Sequence, residues 1–179
     1  MEVKDGVLKE VNIAEGAMGG VTGIPGLSNL ISSRVREKYP EIFGASDTRF
    51  ETLKGTVQIA EGLARTEDLT LSARDYTILG KGTFAFVNRL DFTATFSASE
   101  RLSEDVVSDA KVARYITNEQ GRLSIPFRVT GALPKVRTRP DKEFIAKAFK
   151  RGLIEGEIGK LLGGKEKSSE ETGERKEKN

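Results

Sequence analysis

The alternation around residue 94 restricts this chain more than anything else in it. Leu90, Phe92, Ala94, Phe96 and Ala98 alternate with Asp91, Thr93, Thr95 and Ser97. Successive side chains point to opposite faces only in a β-strand, so this run has one apolar and one polar face. The same period of two recurs on both sides of it. Val57 and Ile59 alternate with Thr56 and Gln58, and Leu69, Leu71 and Ala73 with Thr70 and Ser72. Ile78, Gly80, Gly82, Phe84 and Phe86 share one parity, as do Leu123, Ile125, Phe127 and Val129. Strands solvated on one face belong to antiparallel sheets.

The connections suit a meander. Ala60-Glu61-Gly62 reads as a three-residue hairpin loop with glycine in the left-handed position. The hairpin near Asn88 needs an odd number of loop residues if both apolar faces are to point the same way. A three-residue loop allows two registers, one setting Phe86 against Phe92 and Gly82 against Phe96, the other Phe84 against Phe92 and Gly80 against Phe96. Either puts a glycine under a ring. Arg65 and Glu67 share parity with Leu69, so a bulge intervenes there or that end of the strand leaves the sheet. Pro126 has no N–H for a ladder, which predicts an edge strand over Gly121–Gly131.

Outside the sheet, Val7, Val11 and Ile13 predict a short strand over Gly6–Ile13. A glycine-rich stretch from Gly16 to Gly26 follows and reads as loop or as close backbone approach. Leu27, Leu30, Ile31 and Val35 fall at helical spacing over Leu27–Tyr39, with Pro40 as terminator and Phe43–Arg49 as a connection. Ser103 reads as the N-cap of a helix carrying Val106, Val107, Ala110, Ala113 and Ile116 on its buried stripe. Pro140 reads as the first-turn residue of a last helix through Leu162, with Phe144, Ile145, Ala148, Phe149, Leu153, Ile158 and Leu161 as its apolar positions. The expected class is α+β: an antiparallel meander of about five to six strands, with about three helices packed on or capping its apolar face. Residues 1–46 form an N-terminal strand, glycine-rich loop and helix; residues 47–162 form the sheet region with its terminal helix; residues 163–179 form a charged tail expected to be disordered.

Composition removes most catalytic chemistry. The chain has His 0, Cys 0 and Trp 0, which excludes thiol nucleophiles, disulfides, His-based triads and His or thiolate metal sites. Lys+Arg 29 against Asp+Glu 27 gives a formal charge of +2, no basis for nucleic acid as a partner. The glycine-rich stretch lacks the Gly-Lys-Ser/Thr ending of a phosphate loop, Gly80-Lys81-Gly82 lies inside a strand, and no calcium-loop pattern occurs. Nothing selects a carboxylate pair. No catalytic residue, metal site or cofactor is expected. No stretch reads as a membrane span or a signal peptide, and by its residues alone the chain reads as a soluble cytoplasmic protein.

What remains is the apolar sheet face itself: Val57, Ile59, Leu69, Leu71, Ile78, Phe84, Phe86, Phe92, Phe96, Ile125, Phe127 and Val129, read as one continuous surface. Two readings compete for it. Either the helices cover it as an ordinary core, or part of it stays open as a trough for alkyl chains. The last helix, with Lys142, Lys147, Lys150 and Arg151 among its apolar residues, lies on a membrane surface or packs on the protein through Gly152 and Gly156.

The order and spacing of several segments resemble the C-terminal region of AsmA-like proteins. These are Phe50-Glu-Thr-Leu-Lys-Gly-Thr-Val-Gln-Ile, Gly62-Leu63, Leu69-Thr-Leu-Ser, Gly80-Lys-Gly-Thr-Phe, Leu90-Asp-Phe, Ile125-Pro-Phe-Arg-Val-Thr-Gly and Arg139-Pro-Asp. The resemblance covers roughly residues 47 to 162. It implies kinship with TamB- and YhdP-type bridge-like lipid transfer proteins, a curved, taco-like β-groove, and passive carriage of phospholipid acyl chains between inner and outer membranes. It further implies a periplasmic location within an inner-membrane-anchored protein whose anchor is missing from this sequence. The inward-facing strand positions above would then be lipid-binding. The alternative is an envelope assembly or docking module that binds a protein partner through a sheet edge or the terminal helix, without lipid.

Overall fold

Every alternating run contributes to a strand of one antiparallel sheet, and the sheet continues beyond them at both edges. The computed structural model describes residues 1–23 and 27–163, residues 153–163 as helical backbone alone. The strands are β1 (Glu2–Leu8), β2 (Thr48–Lys54), β3 (Gln58–Ala60), β4 (Leu63–Ser72), β5 (Tyr76–Ala85), β6 (Arg89–Ala98), β7 (Ser124–Ala132) and β8 (Lys135–Pro140). Five α-helices accompany them: α1 (Ile13–Thr22), α2 (Ser33–Lys38), α3 (Pro40–Phe43), α4 (Glu100–Asp109) and α5 (Lys142–Gly163), with a 3-10 turn at Lys111–Ile116. The sheet order is β1-β2-β4-β5-β6-β7-β8, with β3 also paired to β4. The α+β meander therefore stands, with eight strands among the described residues in place of about five to six.

β2 covers only the Thr70–Ser72 end of β4, and β3 covers its Leu63–Arg65 end. Between them β4 breaks register from Thr66 to Leu69, which is the bulge that the parity of Arg65 and Glu67 foretold. Asp68 in that bulge accepts from the Thr56 backbone N–H (2.6 Å) and hydroxyl (2.9 Å), bridging the gap between β2 and β3. The hairpin into β4 is tighter than the spacing suggested. Ala60 pairs with Leu63, leaving Glu61-Gly62 as a two-residue loop with both residues at positive φ, the I′ geometry that matches strand twist.

Several other readings are corrected. The loop from β5 to β6 is Phe86-Val87-Asn88, of the expected odd length, but neither proposed register holds: Gly82 pairs with Phe92, Ile78 with Phe96 and Phe84 with Leu90. The strand expected at Gly6–Ile13 ends at Leu8, because Asn12 caps α1, accepting from Glu15 N–H and donating to the Ile42 and Ala45 carbonyls. The helix expected over Leu27–Tyr39 is cut to α2, since the Ser32 hydroxyl accepts from Val35 N–H and sets the start there. Pro40, read as a terminator, is also the first residue of α3. The supposed connection Phe43–Arg49 runs into β2. Ser99, not Ser103, caps α4; Ser103 is buried, donates to Ser99 O (2.7 Å) and accepts from Leu123 N–H (3.0 Å). Pro140 ends β8, and Asp141 accepts from Phe144 N–H at the head of α5.

Pro126 does not mark an edge: β7 lies between β6 and β8. The Pro126 carbonyl accepts from Asp141 N–H, and in an antiparallel strand a residue's N–H and C=O point to the same side. Its missing donor thus faces the point where β8 stops, and no ladder bond is lost there.

The sheet is strongly curled. Seven strands laid flat would span about 29 Å at ~4.8 Å per gap. Yet α1, only 10 residues long and thus about 15 Å, begins just beyond β1 and lies on β8 at the opposite edge. Gly16 and Gly20 make that contact possible: an added Cβ would sit 2.6 Å from Thr138 Cβ or 2.4 Å from Pro140 Cδ. The glycine-rich stretch is therefore helix as far as Thr22, and Gly16 and Gly20 serve close approach. Ala14, Ala17, Met18 and Val21 of α1, Ile42 of α3 and Leu102 and Val106 of α4 join Phe96, Ile125 and Phe127 in one core at that end of the sheet. On the 3-10 turn, Tyr115 receives α5 at Gly152, where a Cβ would fall 2.1 Å from its ring, and stacks edge-on with Phe149. The side chains of Leu153, Ile158 and Leu161, Gly26 and the tail beyond Gly163 lie outside the described residues. Among the described residues no helix is long and apolar enough to cross a membrane.

Charge pairs pin α2 to α4. Asp105 accepts from Lys38 Nζ and Tyr39 Oη, both at 2.6 Å, and Asp109 accepts from Arg34 and Ser32. Lys38 and then Tyr39 hold the Asp105 carboxyl below its ordinary value, and Arg34 and then Ser32 do the same for Asp109. Burial, and then the Asp105 hydrogen bond, push the Tyr39 hydroxyl up. Carboxyls depressed in the fold stabilise it above their unfolded pKa and lose that contribution as pH falls through the folded one. The α2–α4 contact should therefore be intact at neutral pH and loosen below about pH 4. With no histidine in the chain, stability should stay level between about pH 5 and 8. Urea melts across this range test both statements; an acid limb unchanged by Asp105→Asn with Asp109→Asn would dismiss these pairs as its cause.

Candidate functional site

The curl leaves a groove that the described side chains do not fill. Its floor is the inner face of β4 to β8: Leu69, Leu71, Ile78, Phe84, Leu90, Phe92, Ala94, Phe127, Val129 and Val136. Val7 and Leu8 of β1, Leu53 of β2, and Val11 and Ile13 leading into α1 form the facing wall. Leu133 and Pro134, from the turn between β7 and β8, stand at the rim. The enclosed volume is about 600 Å³, inside the roughly 300–1,000 Å³ range of small-molecule sites.

Its depth follows from the register. Gly80 pairs with Ala94, flanked by the larger pairs Ile78 with Phe96 and Gly82 with Phe92. The row Leu69, Gly80, Ala94, Phe127 across four strands is thus low in the middle. At Gly82 a Cβ would lie 2.8 Å from Phe92 Cγ and 2.2 Å from the Asp91 carbonyl, so the Phe92 ring lies over bare backbone. This is the glycine under a ring that the alternation predicted, in a third register.

The lining offers almost only apolar contact. Among the described residues Lys9 is its sole charged residue, and Lys9 Nζ is turned to Asp47 at 2.9 Å. Lys9, together with the Glu10 backbone N–H, holds the Asp47 carboxyl below its ordinary value. Thr48 fixes this corner, donating to Val11 O (2.7 Å) and accepting from Ile13 N–H (3.0 Å). Among the described residues no group of three or more acidic side chains is placed to hold a metal ion.

The twelve expected face residues divide three ways. Leu69, Leu71, Ile78, Phe84, Phe92, Phe127 and Val129 line the groove. Phe96 and Ile125 are wholly buried beneath the helices, with Tyr76 stacked on Phe96 at 5.3 Å and its hydroxyl pushed up to about 12, mainly by burial. Val57, Ile59 and Phe86 fall outside the continuous surface. Val57 lies between β2 and β3; Ile59, on the short β3, is 67% exposed; Phe86 sits in a hairpin tip, 56% exposed. The complete helix cover of an ordinary core does not hold, because the helices seal one end of the face and leave the other open. Sequence reasoning missed the facing wall. Val7, Leu8 and Leu53 carry the apolar signal, but only the curl brings β1 across from β8.

No protein-family model, curated protein or solved structure matches this chain.

Proposed function

We propose that this chain contributes an apolar β-groove that carries phospholipid acyl chains passively, as a region of a periplasmic, inner-membrane-anchored protein of the AsmA-like kind that moves lipid between inner and outer membranes. The observation that carries the reading is an open apolar groove whose depth is built in by the Gly80–Ala94 pair. Its length fits the cargo. From Ile78 to Phe84 the floor runs about 20 Å at ~3.3 Å per residue, against about 15 Å for the acyl chains of one leaflet. Ten buried methylenes would contribute about 8 kcal/mol before the ordering of the chain is subtracted. Headgroups stay at the solvated opening, and no covalent step is involved.

The test is native mass spectrometry of the purified chain, with lipid identified after organic extraction. Phospholipid should accompany the wild type and be lost from Phe84→Asp, whose melting temperature should change little because Phe84 is only half-buried. A lipid-free wild type, or a variant that loads normally, overturns the groove reading. A docking role would then use the terminal helix or an edge at β1, β3 or β8, because the strand first considered for it, β7, is interior.

A further inference from the structure

We propose that the open end of the groove is a docking surface for an anionic lipid bilayer, formed by three hairpin tips. The tips are Glu61-Gly62, Phe86-Val87-Asn88 and Leu133-Pro134, and hydrogen bonds join them into one edge: Phe86 N–H to Gly62 O (2.9 Å) and Leu133 N–H to Asn88 O (3.1 Å). This edge carries three of the large apolar side chains that the fold leaves in water, Val87 77%, Phe86 56% and Leu133 43% exposed. Loop tips are normally polar, since an exposed apolar tip gains nothing in water.

The apolar surface is continuous with the groove. Leu133 belongs to both the tip and the groove lining, and the Phe86 ring lies 6.4 Å from that of Phe84 in the groove wall. Behind the tips stand exposed Arg89, Lys135 and Arg137, none of which forms an ion pair among the described residues. The nearby Asp91 is already taken by Arg128, at 2.8 Å from Nε. Two of the three tips are apolar and are backed by three unpaired cations against the one exposed acid, Glu61, of the third. This matches a bilayer interface with anionic headgroups, the apolar tips entering the acyl boundary while the cations meet phosphate. The charge pattern argues against a second copy of this surface, which would set cation against cation. The inference rests on the groove reading in one respect, since it makes this end the place where lipid enters and leaves.

The chain has no tryptophan, so Phe86→Trp supplies a single reporter. Its emission should shift to the blue on vesicles of phosphatidylglycerol mixed with phosphatidylcholine. Leu79→Trp, on the polar outer face and also exposed, should not respond. Phe86→Ser with Val87→Ser should weaken vesicle binding about tenfold or more. Arg89→Ala and Lys135→Ala should each weaken it about fivefold and reduce its salt dependence. All five substituted positions are exposed, so unchanged melting confirms folding. No shift at Phe86→Trp, an equal shift at Leu79→Trp, equal binding to pure phosphatidylcholine, or self-association that shields the reporter without vesicles would each overturn the proposal. Lipid loading is read separately by mass: a loaded chain that ignores vesicles defeats the docking surface alone, and a vesicle-binding chain that never loads defeats the groove alone.

Discussion

Replacing Phe96 by alanine should destabilise the protein by about 3–5 kcal/mol, the cost of emptying a fully enclosed phenyl site. Phe96 is wholly buried, stacked on Tyr76 and flanked in register by Ile78 and Ile125. The core around it is held by helices on one side and the sheet on the other, so little can collapse into the gap. Phe84→Ala removes the same ring from the groove wall and should cost less than half as much, because that ring already meets solvent and its loss encloses no void. With urea m-values of about 1–3 kcal/mol/M, the Phe96 variant should lose about 1 M or more in midpoint. Equal losses at the two positions would mean that the groove wall is sealed core and that no trough exists.

Two neighbouring glycines on α1 should respond to alanine with opposite signs. Gly19 faces open space, its nearest contact for an added Cβ being Glu15 Cγ at 3.9 Å. Gly19→Ala should therefore stabilise by about 0.5–1 kcal/mol, the helix-propensity and unfolded-chain gain. Gly20 has the Pro140 ring at 2.4 Å, and a proline ring cannot swing aside. The same propensity gain is opposed there by overpacking of about 1–3 kcal/mol, so Gly20→Ala should destabilise on balance and lift α1 from β8. Hydrogen exchange of the α1 amides gives an independent readout, faster in Gly20→Ala and unchanged or slower in Gly19→Ala. Both variants moving in the same direction would contradict the seating of α1 on the far sheet edge.

Legibility followed the range over which each signal acts. The strands β4 to β7 were readable because parity is written within each strand, and the bulge at Thr66–Leu69 showed itself as a parity conflict. β2 was hidden because its exposed Arg49 and Glu51 alternate with Phe50 and Thr48, too short an apolar pattern to stand out. β8 reads Lys-Val-Arg-Thr-Arg-Pro and carries almost no apolar signal; its partners are β7 and the glycines of α1. Seven of the twelve expected face residues line the groove. The other five went astray where a hairpin tip (Phe86), the gap between β2 and β3 (Val57), a minor edge strand (Ile59) or helix cover (Phe96, Ile125) changed what the same parity means.

Alternation is local information, and it was enough to specify an antiparallel sheet with one apolar face and a glycine beneath a ring. Register, curvature and cover are relations between distant segments. Gly80 lies opposite Ala94 only because the hairpin turns at Phe86-Val87-Asn88, and that choice sets the depth of the groove. A glycine-rich stretch has low intrinsic helix propensity, so its helical state is decided by what it touches: Asn12 capped across to Ile42 and Ala45, with Thr138 and Pro140 filling the space its glycines leave. The face is trough at one end and core at the other because α1 bridges two sheet edges that only the curl brings together.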